Sequence, residues 1–162
     1  MVLAVELDSS NLDALNNLAA VCDEVHRPEE TLHYLEKIIA VNPNYAVAYI
    51  NIGYKYQRSN EHKKAITYFD KAVQLYATHP LAYSNRAFSK LMMGDLSNAL
   101  IDINESINLL STNSYAYKIR ALIKIKQKNK AKACEDLKAA LELGYTNQYG
   151  EEVNELLTKR CK

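Results

Sequence analysis

The chain has no tryptophan, two phenylalanines, four glycines and three prolines in 162 residues. So few chain breakers argue for a mostly helical protein. No apolar run approaches the ~18 residues needed to cross a bilayer, and no signal-peptide pattern opens the chain. The formal net charge is +1, which gives no general pull toward nucleic acid or a membrane. Glycine-rich phosphate loops and paired metal-ligand spacings are missing. The four histidines are scattered. Cys22 and His26 lie one helical turn apart, but no third ligand accompanies them. Nothing therefore points to catalysis, a cofactor or a metal. The apolar and charged fractions, 48% and 24%, are those of an ordinary globular domain.

What the chain does have is an internal period. Residues 46–79, AVAYINIGYKYQRSNEHKKAITYFDKAVQLYATH, carry two short amphipathic patterns joined by a polar turn. Shifted forward by 34 residues, Ala48-Tyr49 falls on Ala82-Tyr83, Asn51 on Asn85, Gly53 on Ala87 and Ala65-Ile66 on Ala99-Leu100. Shifted back, Asn51 falls on Asn17 and Gly53 on Ala19. A fixed period of this length is the mark of stacked helix pairs.

With Ala48 placed at position 3, the unit supplies Tyr49, Ile52, Gly53, Tyr56, Ala65, Phe69 and Ala72 at positions 4, 7, 8, 11, 20, 24 and 27. This pattern resembles the tetratricopeptide repeat. Ala77 stands where that family favours proline. The resemblance implies an all-α, right-handed solenoid of helix-turn-helix repeats over the whole chain. Repeats are expected at 11–43, 46–79, 80–113 and 114–145, with a capping helix at 148–160 and, in residues 1–8, the remnant of a preceding repeat. On that reading the chain is an excised piece of a longer repeat protein.

Helices are expected near 11–25 and 28–41, 45–58 and 61–76, 79–93 and 95–109, and 114–126 and 130–143. Leu15, Leu18, Ala19 and Cys22 recur at helical spacing. Pro28 suits a first helical position, Gly94 a helix end and Asp95 an N-cap. Small residues at positions 8, 20 and 27 let backbones approach. Thr31 and Ile38 are the exceptions in the first repeat. In the last helix Val153, Leu156 and Leu157 oppose charged residues, as a solenoid end requires.

The family resemblance implies that positions 2, 5, 6, 9, 12 and 13 of each first helix line a concave groove that takes a peptide or protein partner. Candidate groove residues are Val47, Ile50, Asn51, Tyr54, Arg58, Leu81, Asn85, Phe88, Met92, Tyr115, Lys118 and Leu122. The first repeat contributes Asp13, Asn16, Asn17, Ala20, Asp23 and Glu24 to this face. Residues 1–45 hold eight acidic against two basic side chains, a net of −6, and the remainder eleven against eighteen, a net of +7. The groove is thus expected to be acidic at one end, apolar in its middle and basic at the other. Its apolar patch fits an interaction site. Asn17, Asn51 and Asn85 share position 6, where an amide can bond a peptide backbone or bridge neighbouring repeats.

Residues 82–95, AYSNRAFSKLMMGD, look like the middle unit of modules that clamp a chaperone's terminal carboxylate. Such a clamp needs Lys, Asn, Asn, Lys and Arg where this chain has Ile50, Tyr54, Asn85, Tyr115 and Ile119. Only Asn85 fits, and without the cations a carboxylate has nothing to hold it.

Residues 118–132 carry Lys118, Arg120, Lys124, Lys126, Lys128, Lys130 and Lys132 and no acid, a run read here as a solvated face rather than a nucleic-acid site. Cys134 faces the capping helix, and an antiparallel cap brings Cys161 beside it. The pair is a candidate disulfide if the Cα atoms come within ~7 Å. The ending ACEDLKAALELGY with a terminal cysteine resembles repeat proteins of Bacteroidetes-type bacteria. The expected function is a non-enzymatic scaffold that binds a protein or peptide in its groove. Two alternatives stay open: a structural spacer that self-associates within a larger protein, and the regulatory region of an enzyme or sensor.

Overall fold

The computed structural model describes residues 11–161. The expected remnant at 1–8 lies outside them. Among the described residues there are ten helices and no strands. They are α1 Leu12–Glu24, α2 Pro28–Val41, α3 Ala46–Arg58, α4 His62–Leu75, α5 Pro80–Met92, α6 Leu96–Leu109, α7 Ser114–Lys126, α8 Lys130–Glu142, α9 Tyr145–Tyr149 and α10 Glu152–Arg160. None of these is long and apolar enough to cross a membrane. The chain divides into two compact units, residues 1–77 and 78–162.

Each helix pair closes through the same turn. His26, Asn60, Gly94 and Lys128, spaced by the period, are all left-handed, with φ of 57°, 59°, 83° and 60°. The N–H groups of Arg27, Glu61, Asp95 and Asn129 bond the carbonyls of Cys22, Tyr56, Lys90 and Lys124 at 2.8–2.9 Å. This six-to-one bond satisfies a carbonyl that the helix end leaves orphaned. Glycine accepts that backbone freely, and the other three residues hold it at a cost of about 1–2 kcal/mol each. The following helix is capped by Asp95 and Asn129, whose side chains accept from Asn98 N and Lys132 N. Pro28 begins α2.

In the first unit α1–α2 and α3–α4 pack into one core of Leu15, Ala19, Leu35, Ile38, Ala48 and Ile52. In the second, Ala87, Leu91, Ala99, Ile103, Ala116, Ile119 and Ile123 form another. Positions 8 and 24 meet inside every pair: Ala19 with Leu35, Gly53 with Phe69, Ala87 with Ile103, Ala121 with Leu137, all buried. The one glycine faces the one phenylalanine. A Cβ at Gly53 would sit 2.7 Å from Phe69 Cε1, nearer than real Cβ contacts come. The ring is wholly enclosed and has nowhere to go. Gly53→Ala should therefore destabilise by about 1–3 kcal/mol, despite the roughly 1 kcal/mol that alanine gains in a helix. Adding Phe69→Leu should restore most of the loss. Urea denaturation of the four proteins in this cycle measures the coupling, and additive effects would contradict the contact.

The expected single cap at 148–160 needs correction. Gly144 closes α8 at φ +80°, and a short helix, α9, follows at once. Gly150, at φ +89°, interrupts the chain before α10 begins at Glu152. Gln148 and Tyr149 therefore belong to α9, not to the cap. Val153 is fully buried, and Leu156 and Leu157 pack with Ala121, Leu137, Ala140 and Tyr145.

Candidate functional site

In the first unit the face carried by α1 and α3 holds a cavity of about 210 Å³ lined by Asn16, Ala20, Asp23, Asn51, Tyr54 and Lys55 among others. Val47, Asn51 and Arg58 are exposed on α3, and Tyr54 is 42% accessible. Asn16 Nδ2 donates to Tyr45 Oη at 3.1 Å, which orients its amide. Asn17 is exposed. Ile50 departs from expectation: it is only 6% accessible and belongs to the packing, not to an open surface. Asp23, expected as part of a free acidic end, accepts from Lys55 Nζ. Lys55 is itself buried and reaches from α3 to α1. A second cavity, about 320 Å³, lies at the turn end of this unit and includes Asp23, His26, Tyr56, Arg58 and Glu61.

In the second unit Leu81 and Met92 are exposed on α5, with Asn85 and Phe88 half-buried between them. On α7, Tyr115 and Leu122 are half-buried. Phe88, Leu122 and Tyr115 pack on the core from outside. Lys118 is not the free cation that the sequence suggested. Its side chain is 7% accessible and its ammonium is 3.0 Å from Glu152 Oε1, on α10. It also lies 5.8 Å from the ring centroids of Phe88 and Tyr115. The expected basic end thus loses one charge to a tie between repeat and cap, as the acidic end loses Asp23.

The same holds for Arg120, read as part of a solvated run. Arg120 Nε and Nη2 bond Asp136 at 2.7–3.1 Å, and Nη1 bonds Asn104 at 3.2 Å. The Asp136 hydrogen bonds push the guanidinium pKa up. One period earlier, Arg86 makes the same fork to Asp102 at 2.7–2.8 Å, and Lys90 adds a third contact at 2.7 Å. These pairs occupy positions 7 and 23. The first unit fills those positions with Leu18 and Tyr34, and with Ile52 and Tyr68. Tyr68 stacks on Tyr56 with centroids 5.4 Å apart. One backbone slot therefore has an apolar and an ionic solution. The signal was in the sequence, as Arg and Asp recurring together at the repeat spacing.

Cys134, on α8, is disulfide-bonded to Cys161, just past α10, with Cα atoms 5.8 Å apart. Cys22 is free and buried. Desolvation, and then Glu30, push its thiol up. Among the described residues no three His, Cys, Asp or Glu side chains converge as a metal site would require.

A sequence model of the tetratricopeptide repeat matches residues 46–79. No curated protein matches the chain. Many solved structures do. A crystal structure of MamA has TM-score 0.77 at 21% identity, over 89% of this chain and 84% of that one. MamA 41-end from Desulfovibrio magneticus RS-1 has TM-score 0.73 at 19% identity, over 93% of both chains. The first TPR of Spaghetti (RPAP3), bound to the HSP90 peptide SRMEEVD, has TM-score 0.59 at 20% identity, over 70% of this chain and 93% of that one. These likenesses show the fold, an all-α solenoid of helix-turn-helix repeats.

Proposed function

We propose that this tetratricopeptide-type fold is a non-catalytic scaffold whose first-helix faces bind an extended segment of another protein. The observation that carries this is the company of exposed apolar side chains and side-chain amides on the first-helix faces. In the first unit Tyr54 lines a cavity with Asn16 and Asn51, and Val47 is exposed on the same helix as Tyr54. In the second, Leu81 and Met92 present apolar surface on α5. Large apolar side chains in a concave site supply desolvation energy, and amides supply main-chain bonds without demanding a particular sequence. The RPAP3 domain shows the same fold holding a peptide.

A ring of cations is not part of the proposal. Ile50 and Ile119, at two clamp positions, are buried and uncharged, so recognition rests on side-chain and backbone contacts along the segment. The ending around Cys134, with its terminal cysteine, keeps the resemblance to Bacteroidetes-type bacterial repeat proteins within this reading.

The test uses peptides selected on the chain from a random library. Asn51→Ala/Tyr54→Ala or Leu81→Ala/Met92→Ala should weaken the selected peptides by about tenfold or more, roughly 1.4 kcal/mol. Ile101→Ala, on the highly exposed face of α6, should leave them unchanged. Equal affinities for both face variants and the parent would end the reading.

A further inference from the structure

One cavity among the described residues has a wall of seven residues. It encloses about 310 Å³ and is lined by Ile125, Lys128, Lys130, Ala133, Cys134, Lys159 and Arg160. Four of the seven are cationic and none is acidic. Lys128 comes from the turn between α7 and α8, and Lys130 is the first residue of α8. The other two come from the last turn of α10. Lys159 is 3.3 Å from Glu155 on its own helix, with both side chains well exposed. Glu155 does not line the cavity. The disulfide joins these two segments, and one of its cysteines is in the cavity wall. Both Cys134 and Cys161 are half-buried.

A disulfide is cut by a thiolate, at a rate that depends on access and on how well the departing thiolate is stabilised. Nearby lysine and arginine stabilise a cysteine thiolate. They also raise the local concentration of an anionic reagent. We propose that Cys134–Cys161 is a thiol-exchange site selective for small thiols that carry a carboxylate or sulfonate, which the Lys128, Lys130, Lys159 and Arg160 cavity gathers.

The step balances without a further oxidant. The reagent thiolate bonds to Cys134 Sγ, the Cys134–Cys161 bond breaks, and its electron pair leaves as a thiolate on Cys161, the residue that follows Arg160. A second reagent thiolate then attacks the reagent sulfur of the mixed disulfide. This releases the reagent's own disulfide and the Cys134 thiolate. Both protein thiolates take protons from water. Two reagent thiols have been oxidised and one protein disulfide reduced, and the end of α10 is no longer covalently held to α8.

The experiment follows cleavage in the full chain by alkylation and mass measurement. It compares mercaptoethanesulfonate, 2-mercaptoethanol and cysteamine at equal thiolate concentration. A neutral linear peptide disulfide sets the intrinsic order. At low salt the sulfonate should outrun cysteamine by about tenfold beyond that reference, the low end of electrostatic steering. The preference should fall to within about twofold in 1 M salt, where the screening length is about 3 Å. The variant Lys128→Gln/Lys130→Gln/Lys159→Gln/Arg160→Gln should lose it too. The ratio between reagents is internal to each protein, so a change in the variant's stability does not mimic selectivity. The reference order in the parent, a preference untouched by both salt and neutralisation, or an air-purified chain whose Cys134 and Cys161 both alkylate freely would each overturn the proposal.

Discussion

Asp102→Ala should be the most damaging single substitution on α6, lowering stability by about 3–5 kcal/mol, the usual cost of removing one partner of a buried ion pair. Asp102 is almost wholly buried and receives Arg86 through two bonds and Lys90 through a third. Both cations are themselves largely enclosed. Truncating the carboxylate leaves two charges in a poorly hydrated slot with no counter-ion, and desolvation of an unpaired charge is what makes such losses large. The melting temperature should fall by on the order of 10 °C in a chain of this size.

The repeat offers its own control. One period earlier the corresponding three side chains are Ile52, Tyr56 and Tyr68, with the two tyrosines stacked. Installing that solution as Arg86→Ile/Lys90→Tyr/Asp102→Tyr should cost far less than Asp102→Ala alone, because no charge is orphaned and apolar replacement of a buried ion pair is often near neutral. Calorimetry of both variants decides it. A loss below about 1 kcal/mol for Asp102→Ala would mean that water screens the pair as it does at a surface.

Opening Cys134–Cys161 is the second large effect. The bridge spans 27 residues, and closing a loop of that size removes about 3–4 kcal/mol of chain entropy from the unfolded state. Reduction, or Cys161→Ser, should lower the denaturation midpoint accordingly. Hydrogen exchange should quicken first in α9 and α10. Without the bridge those helices are held by Tyr145, Val153, Leu156 and Leu157 in the core, by the Lys118–Glu152 pair, and by Tyr115 against Tyr149 and Ser114 Oγ on Gln148, with Tyr145 Oη bonding Glu152 between them at 3.2 Å. Identical midpoints with and without reductant would show that the native state is strained by as much as the bridge gains.

The helix pairs were legible because a period is a statement about register. Once Ala48 has a position, His26, Asn60, Gly94 and Lys128 fall on the same turn and Leu35, Phe69, Ile103 and Leu137 on the same buried site. The sites that misled are those where one register admits two chemistries. Position 7 accepts Leu18 and Ile52 or Arg86 and Arg120, and only the partner at position 23, sixteen residues on, says which. Lys118 looked like a groove cation because Glu152, its counter-ion, sits on a helix outside the repeat. Ile50 looked open because the face rule assigns direction and not depth. The split of the cap at Gly150 was hidden by the amphipathic pattern continuing past it. Asn51 and Tyr54 on α3 and Leu81 and Met92 on α5 are exposed.

The most direct test of the scaffold reading is a nuclear magnetic resonance titration of the labelled chain with a peptide selected on it. Binding to the first-helix faces predicts shifts concentrated on Asn16, Val47, Asn51 and Tyr54, on Leu81, Asn85 and Met92, or on both sets. Residues such as Lys71, Ile101 and Glu135 on the second helices should stay still. Shifts confined to the exposed surfaces of α2, α4, α6 and α8 would contradict the account.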